Sequence, residues 1–186
     1  MQSVHHTIRL KGYDYSQNGL YFVTICTQNR ENIFGEIVDG KMKLNSAGNM
    51  IAIQWNNLIN RFDNIELDEY TVMPNHFHGI IHIVGAPLVG ARNNYAGINK
   101  TRAGTRPAPT INPTVGEIIG AFKSITTHAY IENVMRNNWP PFDKRLWQRN
   151  YYEHIIRNEE EYLKIKEYIR SNPSMWERDR NNLKKI

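Results

Sequence analysis

Cysteine is almost absent from this chain of 186 residues, which contains Cys26 alone. A single cysteine excludes an internal disulfide framework and a zinc site built from cysteines, and it suits a reducing compartment. No apolar run approaches the length of a membrane span, and the first residues lack the apolar core of a signal peptide. We therefore expect a cytoplasmic protein without a membrane partner.

Acidic residues are the minority charge, with 18 Asp and Glu against 23 Lys and Arg. The net charge of +5 attracts polyanions, so nucleic acid is the partner that the composition favours. The imbalance is strongest in residues 85–113, which lack acidic residues and are rich in Gly, Pro, Ala, Asn and Thr. We predict a long flexible basic loop there, which either follows a phosphate backbone or is a solvated insertion without a role.

The spacing of apolar residues predicts the order strand, helix, strand, strand, helix, strand, followed by an extra C-terminal helix. The predicted strands are 19–27, 65–72, 73–83 and 145–156, with a hairpin at 34–44, and the predicted helices are 46–62, 114–134 and 158–171. This order is typical of an α+β fold of the ferredoxin-like or RRM-like kind, an antiparallel sheet with helices on one face. We expect one domain over residues 1–186, with a core at about 18–176 and a basic tail at 177–186.

The strand at 73–83 reads Met-Pro-Asn-His-Phe-His-Gly-Ile-Ile-His-Ile. Alternation along a strand places His76, His78 and His82 on one face and apolar residues on the other. His76 and His78 are close enough to bind one metal ion, whereas His82 lies about 13 Å from His78 at about 3.3 Å per residue. The same pattern is also typical of a polar outer face that happens to hold histidines.

On the C-terminal helix, Tyr168 and Asn172 are separated by about 40° of rotation and about 6 Å of rise. Both side chains therefore approach the same neighbour. If the extra helix covers the histidine face of the sheet, that neighbour is the pair of histidines. The alternatives are a packing role for Tyr168 and a helix stop at Asn172 before Pro173. Tyr151 and Tyr152 are rival nucleophiles, ranked lower because neither has an Asn four residues later.

These motifs resemble those of a known family. Residues 73–78 resemble the His-hydrophobe-His motif of the single-tyrosine HUH transposases, and residues 168–173, Tyr-Ile-Arg-Ser-Asn-Pro, resemble the Tyr-x-x-x-Asn-Pro motif of their REP-associated branch. Residues 147–148 and 152–158 are similar to that branch too, so the resemblance covers about residues 18–176. The long loop and the hairpin depart from it.

The resemblance implies a metal-dependent single-stranded DNA endonuclease and strand transferase, with its catalytic helix on the histidine side of the sheet. Tyr168 is the implied nucleophile, and His76, His78 and Asn172 are the implied ligands of one Mg²⁺ or Mn²⁺. The implied partner is single-stranded DNA with a hairpin, such as a repetitive palindromic element, cut through a 5′-phosphotyrosine. A monomer is favoured over a homodimer.

Basic residues are predicted to contact DNA phosphates. They are Arg92, Lys100, Arg102, Arg106, Lys123, Lys144, Arg145 and Arg149, with Arg178, Arg180, Lys184 and Lys185 in the tail. A catalytically silent nucleic-acid-binding module on an RRM-like sheet is the alternative function. A metal hydrolase acting on a small molecule is a third, although no carboxylate pair accompanies the histidines in the sequence.

Overall fold

The computed structural model describes residues 12–84 and 113–183. Its strands are β1 Gly19–Cys26, β2 Gly35–Val38, β3 Lys41–Leu44, β4 Ile65–Met73, β5 His76–Ile83 and β6 Tyr152–Ile156. Its helices are α1 Ser46–Asn56, α2 Val115–Asn137 and α3 Glu159–Ser171, with 3-10 segments at Gln28–Arg30, Asn57–Asn60 and Pro173–Arg178. Within these described ranges, no helix has the length and apolar character needed to cross a membrane. The predicted loop, apart from Pro113, and the tail lysines lie outside the described residues.

Four strands form the main sheet in the order β4-β5-β1-β6, and every neighbouring pair is antiparallel. Strands β2 and β3 form a separate hairpin. With α1 between β1 and β4, and α2 between β5 and β6, the main sheet has the predicted ferredoxin-like connectivity. The predicted α+β fold is therefore confirmed.

The main core lies between the sheet and helices α1 and α2. Trp55 of α1 and Phe122 of α2 meet Phe77 of β5, with ring centroids 4.5 Å and 5.3 Å from the Phe77 ring. All three side chains are fully buried. Burying each aromatic ring stabilises the fold by about 1.5–3 kcal/mol, so this contact fixes which face of β5 points away from the helices.

The opposite face of the sheet is covered by α3. Ile169 of α3 packs on Phe22, Ile80 and Ile156, which come from three different strands. The predicted covering of the histidine face by the C-terminal helix is therefore confirmed. The imidazoles of His76 and His78 are fully buried on this face of the sheet.

Local signals explain the element boundaries. Asn45 accepts a hydrogen bond from the Gly48 backbone N–H and begins α1, and Thr114 forms a complete capping box that begins α2. Asp39 and Gly40 both have positive φ, at 51° and 69°, as the turn between β2 and β3 requires.

The predicted strand at 145–156 is wrong in its first half, because β6 begins only at Tyr152. Trp147 forms a single isolated bridge with Thr27. Its indole is buried in the main core, where Nε1 donates to Thr126 Oγ1 at 2.9 Å. The aromatic residues that suggested a strand fill the core from an irregular connection.

Candidate active site

The two motif histidines are placed by the pairing of β5 with β1. His78 lies opposite Thr24 and His76 lies opposite Cys26. Thr24 Oγ1 is 2.8 Å from His78 Nδ1, and the two histidines approach each other with their Nε2 atoms 3.0 Å apart. Both side chains have no exposed surface. The Nδ1 atoms are therefore held by the scaffold, while the Nε2 atoms converge on one point.

Asn75 determines which nitrogen of His76 carries the proton. Its Nδ2 donates to the backbone carbonyls of Arg30 at 3.0 Å and Asn181 at 2.9 Å, so its Oδ1 is the acceptor 2.9 Å from His76 Nδ1. His76 must donate from Nδ1, which leaves a lone pair on Nε2. The ring is thus fixed in the tautomer that can bind a cation through Nε2.

Helix α3 is tied to β4 at an irregularity in the β4–β5 pairing between Leu67 and Tyr70. Asp68 accepts hydrogen bonds from the Tyr162 hydroxyl and from Lys166 Nζ, the latter at 3.0 Å. One turn later, an ion pair joins Arg170 to Glu69 at 2.7 Å. These bonds, with the buried Ile169, set the rotation of the helix about its axis.

This rotation brings Tyr168 to the histidines. The Tyr168 hydroxyl is 3.3 Å from His78 Nε2, and its ring packs edge-on against His78 and Phe22, with centroids 5.2 Å and 6.0 Å away. Tyr168 keeps 41% of its surface exposed, so one side of the ring faces solvent. A phenol that is anchored on one side and accessible on the other can reach an external electrophile.

Asn172, four residues after Tyr168, ends α3 in the same region and is buried. Its Nδ2 donates to Asp179 Oδ2 at 3.1 Å. Its Oδ1 is buried without a hydrogen-bond partner of adequate geometry among the described residues. The Asn172 side chain lies close enough to raise the pKa of His76 and to lower that of Tyr168, in each case as a minor cause. A buried acceptor without a well-formed hydrogen bond costs about 1–3 kcal/mol, so a cation beside this oxygen would stabilise the arrangement.

Asp179 is the residue that sequence reasoning missed. Its carboxylate is buried and lies 3.9 Å from His76 Nε2. One ligand atom from each of His76, His78 and Asp179 can be chosen so that all three lie within 4.8 Å of one another. Asp179 stands between Arg178 and Arg180 in the segment predicted as a basic tail, and an acidic residue within a basic run was the available signal.

The donor atoms suit a divalent cation. Two imidazole nitrogens, one carboxylate and an unpartnered amide oxygen are collected in one buried place, and cations take such ligands. The carboxylate also supplies the hard oxygen ligand that two histidines alone do not. His76, His78 and Asp179 could therefore hold a metal ion, with Asn172 beside them.

Burial controls the protonation of the site. It lowers the pKa of His76 to about 4, against the opposing effect of the Asp179 carboxylate, and it holds the pKa of His78 well below its ordinary range. Both rings are neutral at physiological pH, the form that binds metals. Burial, followed by the Asp179 charge, raises the pKa of Tyr168 above its ordinary value, so the phenol keeps its proton in the absence of a cation.

Acidification is expected to destabilise the metal-free protein between about pH 6.5 and about pH 4. In this range an unfolded His76 binds a proton, whereas the folded ring, with a pKa of about 4, does not, so stability present above the unfolded pKa is lost as the pH falls. The loss for His76 is about 3 kcal/mol by about pH 4. Urea unfolding in EDTA at several pH values measures it.

His76→Gln should flatten this pH dependence, since glutamine does not titrate. His82→Gln is the matched control, because His82 is partly exposed and contacts Glu66, with 3.1 Å between His82 Nδ1 and Glu66 Oε2. Equal pH dependence in the wild type and in His76→Gln would contradict a buried neutral imidazole.

The structure separates other predicted residues from this site. His82 lies at the far end of β5 beside Glu66, in agreement with its exclusion from the metal site. Tyr151 packs against the main core on the helix side of the sheet, and its hydroxyl donates to Glu153 at 2.7 Å. Tyr152 points to the opposite side and packs with Phe22. Of the two rival tyrosines, only Tyr152 faces the histidine side.

Basic residues predicted to contact DNA fall into three groups. Lys144, Arg145 and Arg149 are exposed, as are Arg178 and Arg180 near the site. Arg92, Lys100, Arg102, Arg106, Lys184 and Lys185 lie outside the described residues. Lys123 is the exception, since its ammonium donates to the backbone carbonyls of residues 148, 149 and 150. Burial lowers its pKa to about 8, and its ammonium supports the connection before β6.

Two known proteins are similar to this chain over most of its length, one in sequence and one in fold. No protein-family model matches the chain. An uncharacterized protein of Haemophilus influenzae is 43% identical over 178 residues, which are 95% of this chain and 93% of that protein. The solved structure of a REP-associated tyrosine transposase bound to a REP hairpin matches 89% of this chain and 73% of its own, with a TM-score of 0.55 and 18% identity. The two chains share a fold.

Proposed function

This chain belongs to the same family as the Haemophilus influenzae protein and has the fold of a REP-associated tyrosine transposase, and we propose that it is a metal-dependent single-stranded DNA endonuclease and strand transferase. In this proposal, residues 1–186 act as a single HUH nuclease domain. Tyr168 is the nucleophile, and His76, His78 and Asn172, joined by Asp179, surround one divalent ion.

The observation that carries the proposal is the position of the Tyr168 hydroxyl, 3.3 Å from the Nε2 atom of His78. Residues 90 positions apart in the chain bring a phenol to two neutral imidazoles. A phenol packed only as a boundary residue would not require a buried carboxylate and an unpartnered amide oxygen nearby. A nucleophile beside a cation site is the arrangement that phosphoryl transfer uses.

The chemistry follows from this arrangement. A divalent ion at the site supplies Lewis-acid polarisation of the scissile phosphate. Tyr168 Oη gives up its proton and forms a bond to phosphorus as the bond to the 3′-oxygen of the preceding nucleotide breaks. That oxygen leaves with the electron pair and takes up a proton, so the net change moves one proton from the phenol to the 3′-oxygen. The products are a 5′-phosphotyrosine and a free 3′-OH, so a second strand can be joined without ATP.

The substrate that we propose is single-stranded DNA beside a hairpin. The related transposase structure contains a REP hairpin, and this chain carries the positive charge that a phosphate backbone attracts. Lys144, Arg145 and Arg149 are the exposed basic residues on the connection before β6. They are proposed to contact the hairpin phosphates, together with the arginines of residues 85–113. One chain contains all the proposed catalytic residues, so a monomer suffices for cleavage.

A covalent adduct tests the proposal. Wild-type protein incubated with hairpin-containing single-stranded DNA and Mn²⁺ should give a protein–DNA species that survives SDS, and EDTA should prevent it. Mn²⁺ should act better than Mg²⁺, because imidazole ligands suit the softer ion. Salt-sensitive binding with no adduct under any metal condition would leave a catalytically silent nucleic-acid-binding module instead.

Asn75→Ala is expected to lower the affinity for Mn²⁺ by about 10–100-fold. The substitution removes the acceptor that fixes the His76 tautomer and the donors that hold the Asn181 carbonyl. Calorimetric titration with Mn²⁺ measures the change, and Asn56→Ala, an exposed amide on α1, is the matched control. Unchanged affinity in a folded Asn75→Ala protein would show that the tautomer needs no such support.

A further inference from the structure

A cavity of about 590 Å³ opens beside Tyr168. This volume lies in the range of pockets that hold small ligands, about 300–1,000 Å³. Its walls include Phe22, Tyr152, Met175, Arg178 and Arg180, and Asn172 and Asp179 of the candidate metal site line it as well. Aromatic and thioether groups thus share one enclosure with two guanidinium groups.

We propose that this cavity binds one unpaired nucleotide of the single-stranded DNA, the nucleotide that adjoins the scissile phosphate. The base stacks against the aromatic wall, and the arginines hold the phosphate. The inference rests on the proposed function and extends it, since it assigns a substrate position to residues outside the predicted catalytic set.

The aromatic wall comes from the sheet. The Tyr152 ring lies on β6 beside Phe22 of β1, with centroids 6.3 Å apart in an edge-to-face arrangement. Met175 of the C-terminal segment adds a thioether to the wall and keeps 45% of its surface exposed. An aromatic and apolar wall of this kind can accept the face of a nucleobase, and base–aromatic stacking contributes about 1–3 kcal/mol per base.

The cationic wall comes from the C-terminal segment. The Arg180 guanidinium lies 5.6 Å over the Tyr152 ring, and the Arg180 backbone carbonyl accepts a hydrogen bond from Arg30 Nη1 at 3.0 Å. The residue is thereby held at both its backbone and its side chain. A guanidinium fixed in this way binds a phosphate at lower entropic cost than a mobile surface cation, and it can also stack on a base.

The position of the cavity selects the nucleotide. Tyr168 is itself part of the wall, so a phosphate attacked by its hydroxyl belongs to a nucleotide at the cavity entrance. The described wall offers stacking surface and two guanidinium groups beside the Asp179 carboxylate, and its Ser171 hydroxyl already donates to the Glu167 carbonyl at 2.7 Å. Stacking tolerates every base, so removal of the base should matter more than its identity.

Abasic substitution tests the inference. After the scissile phosphate is mapped from the wild-type adduct, one abasic site is placed on each side of it in otherwise identical hairpin DNA. At one of these two positions, the abasic site should slow adduct formation by about 5- to 150-fold. Exchanging the four bases at the same position should change the rate by less than the abasic site does.

Variants assign this effect to the cavity. In Tyr152→Leu, which keeps apolar bulk without an aromatic face, the same abasic site should have little further effect, because the stacking partner is already gone. Arg180→Gln should weaken binding of an oligothymidylate of about 12 nucleotides in EDTA and reduce its salt dependence. Arg136→Gln removes the same charge from an exposed position on α2 and is the matched control.

The failures of the two proposals are distinguishable. Absence of any adduct defeats the nuclease function. The cavity is then tested alone, by comparing the binding of the oligothymidylate with that of an abasic strand of equal length, in wild type and in Tyr152→Leu. A Tyr168-dependent adduct that ignores the abasic sites, or an abasic effect of equal size in Tyr152→Leu and wild type, overturns the nucleotide site.

Discussion

Tyr168→Phe is expected to abolish the covalent DNA adduct, with a fall in rate of more than about 10³-fold, as for other nucleophile deletions. The substitution removes the attacking oxygen and leaves the ring. The contacts of that ring with His78 and Phe22 can persist, and the hydroxyl loses its contact with His78 Nε2 at 3.3 Å. Folding and DNA binding should therefore survive, and denaturing gel electrophoresis with labelled DNA measures the adduct.

The rival tyrosines provide the controls for this result. Tyr151→Phe should retain the adduct, since Tyr151 packs on the other side of the sheet. Tyr152 faces the histidine side, so Tyr152→Phe is the stricter comparison. An adduct that persists in Tyr168→Phe and disappears in Tyr152→Phe would move the nucleophile from α3 to β6.

Asp179→Asn is expected to reduce the affinity for Mn²⁺ by about 100-fold or more, a larger effect than the loss of a supporting hydrogen bond. The change keeps the shape of the side chain and removes the only carboxylate that the described residues place against both histidines. A divalent ion would then face two neutral imidazoles and neutral amides, with no negative charge to compensate it. Calorimetry with Mn²⁺ gives the affinity without any need for DNA.

Glu177→Gln is the matched control, because it removes an exposed negative charge from the same segment. Asn172→Ala completes the comparison between the ligand set implied by family resemblance and the set found in the fold. If Asp179→Asn binds Mn²⁺ normally while Asn172→Ala does not, the carboxylate is structural and the metal ligands are His76, His78 and Asn172 alone.

Most elements were predictable because their signals are local. Alternation along a strand placed His76 and His78 on one face, and the capping residues Thr114 and Asn158 marked the starts of α2 and α3, where both side chains accept hydrogen bonds from the third following N–H. Each signal involves only a few consecutive residues. The connectivity then followed from the order of the elements.

The sequence did not reveal side-chain contacts that depend on distant partners. Trp147 suggested a strand by its residue type, although it fills a space between Phe34 and Phe122. The charge of Lys123 predicts a phosphate contact, and the fold adds hydrogen bonds from its ammonium to carbonyls about 25 residues away in the chain. Neither the aromatic partners of Trp147 nor the carbonyl partners of Lys123 can be identified from the residues next to them in the sequence.

The candidate site divides in the same way. The sequence by itself determined the two pairs, His76 with His78 on β5 and Tyr168 with Asn172 on α3, because the repeats of a strand and a helix fix which neighbours share a face. Only the tertiary structure brought the pairs together, through the burial of Ile169 and the bonds from α3 to Asp68 and Glu69. It also decided the place of Asp179, which lies beyond the last helix in an irregular segment where no periodicity relates position to direction. An acidic residue within a basic run was visible in the sequence, but only the fold places its carboxylate beside His76 and His78.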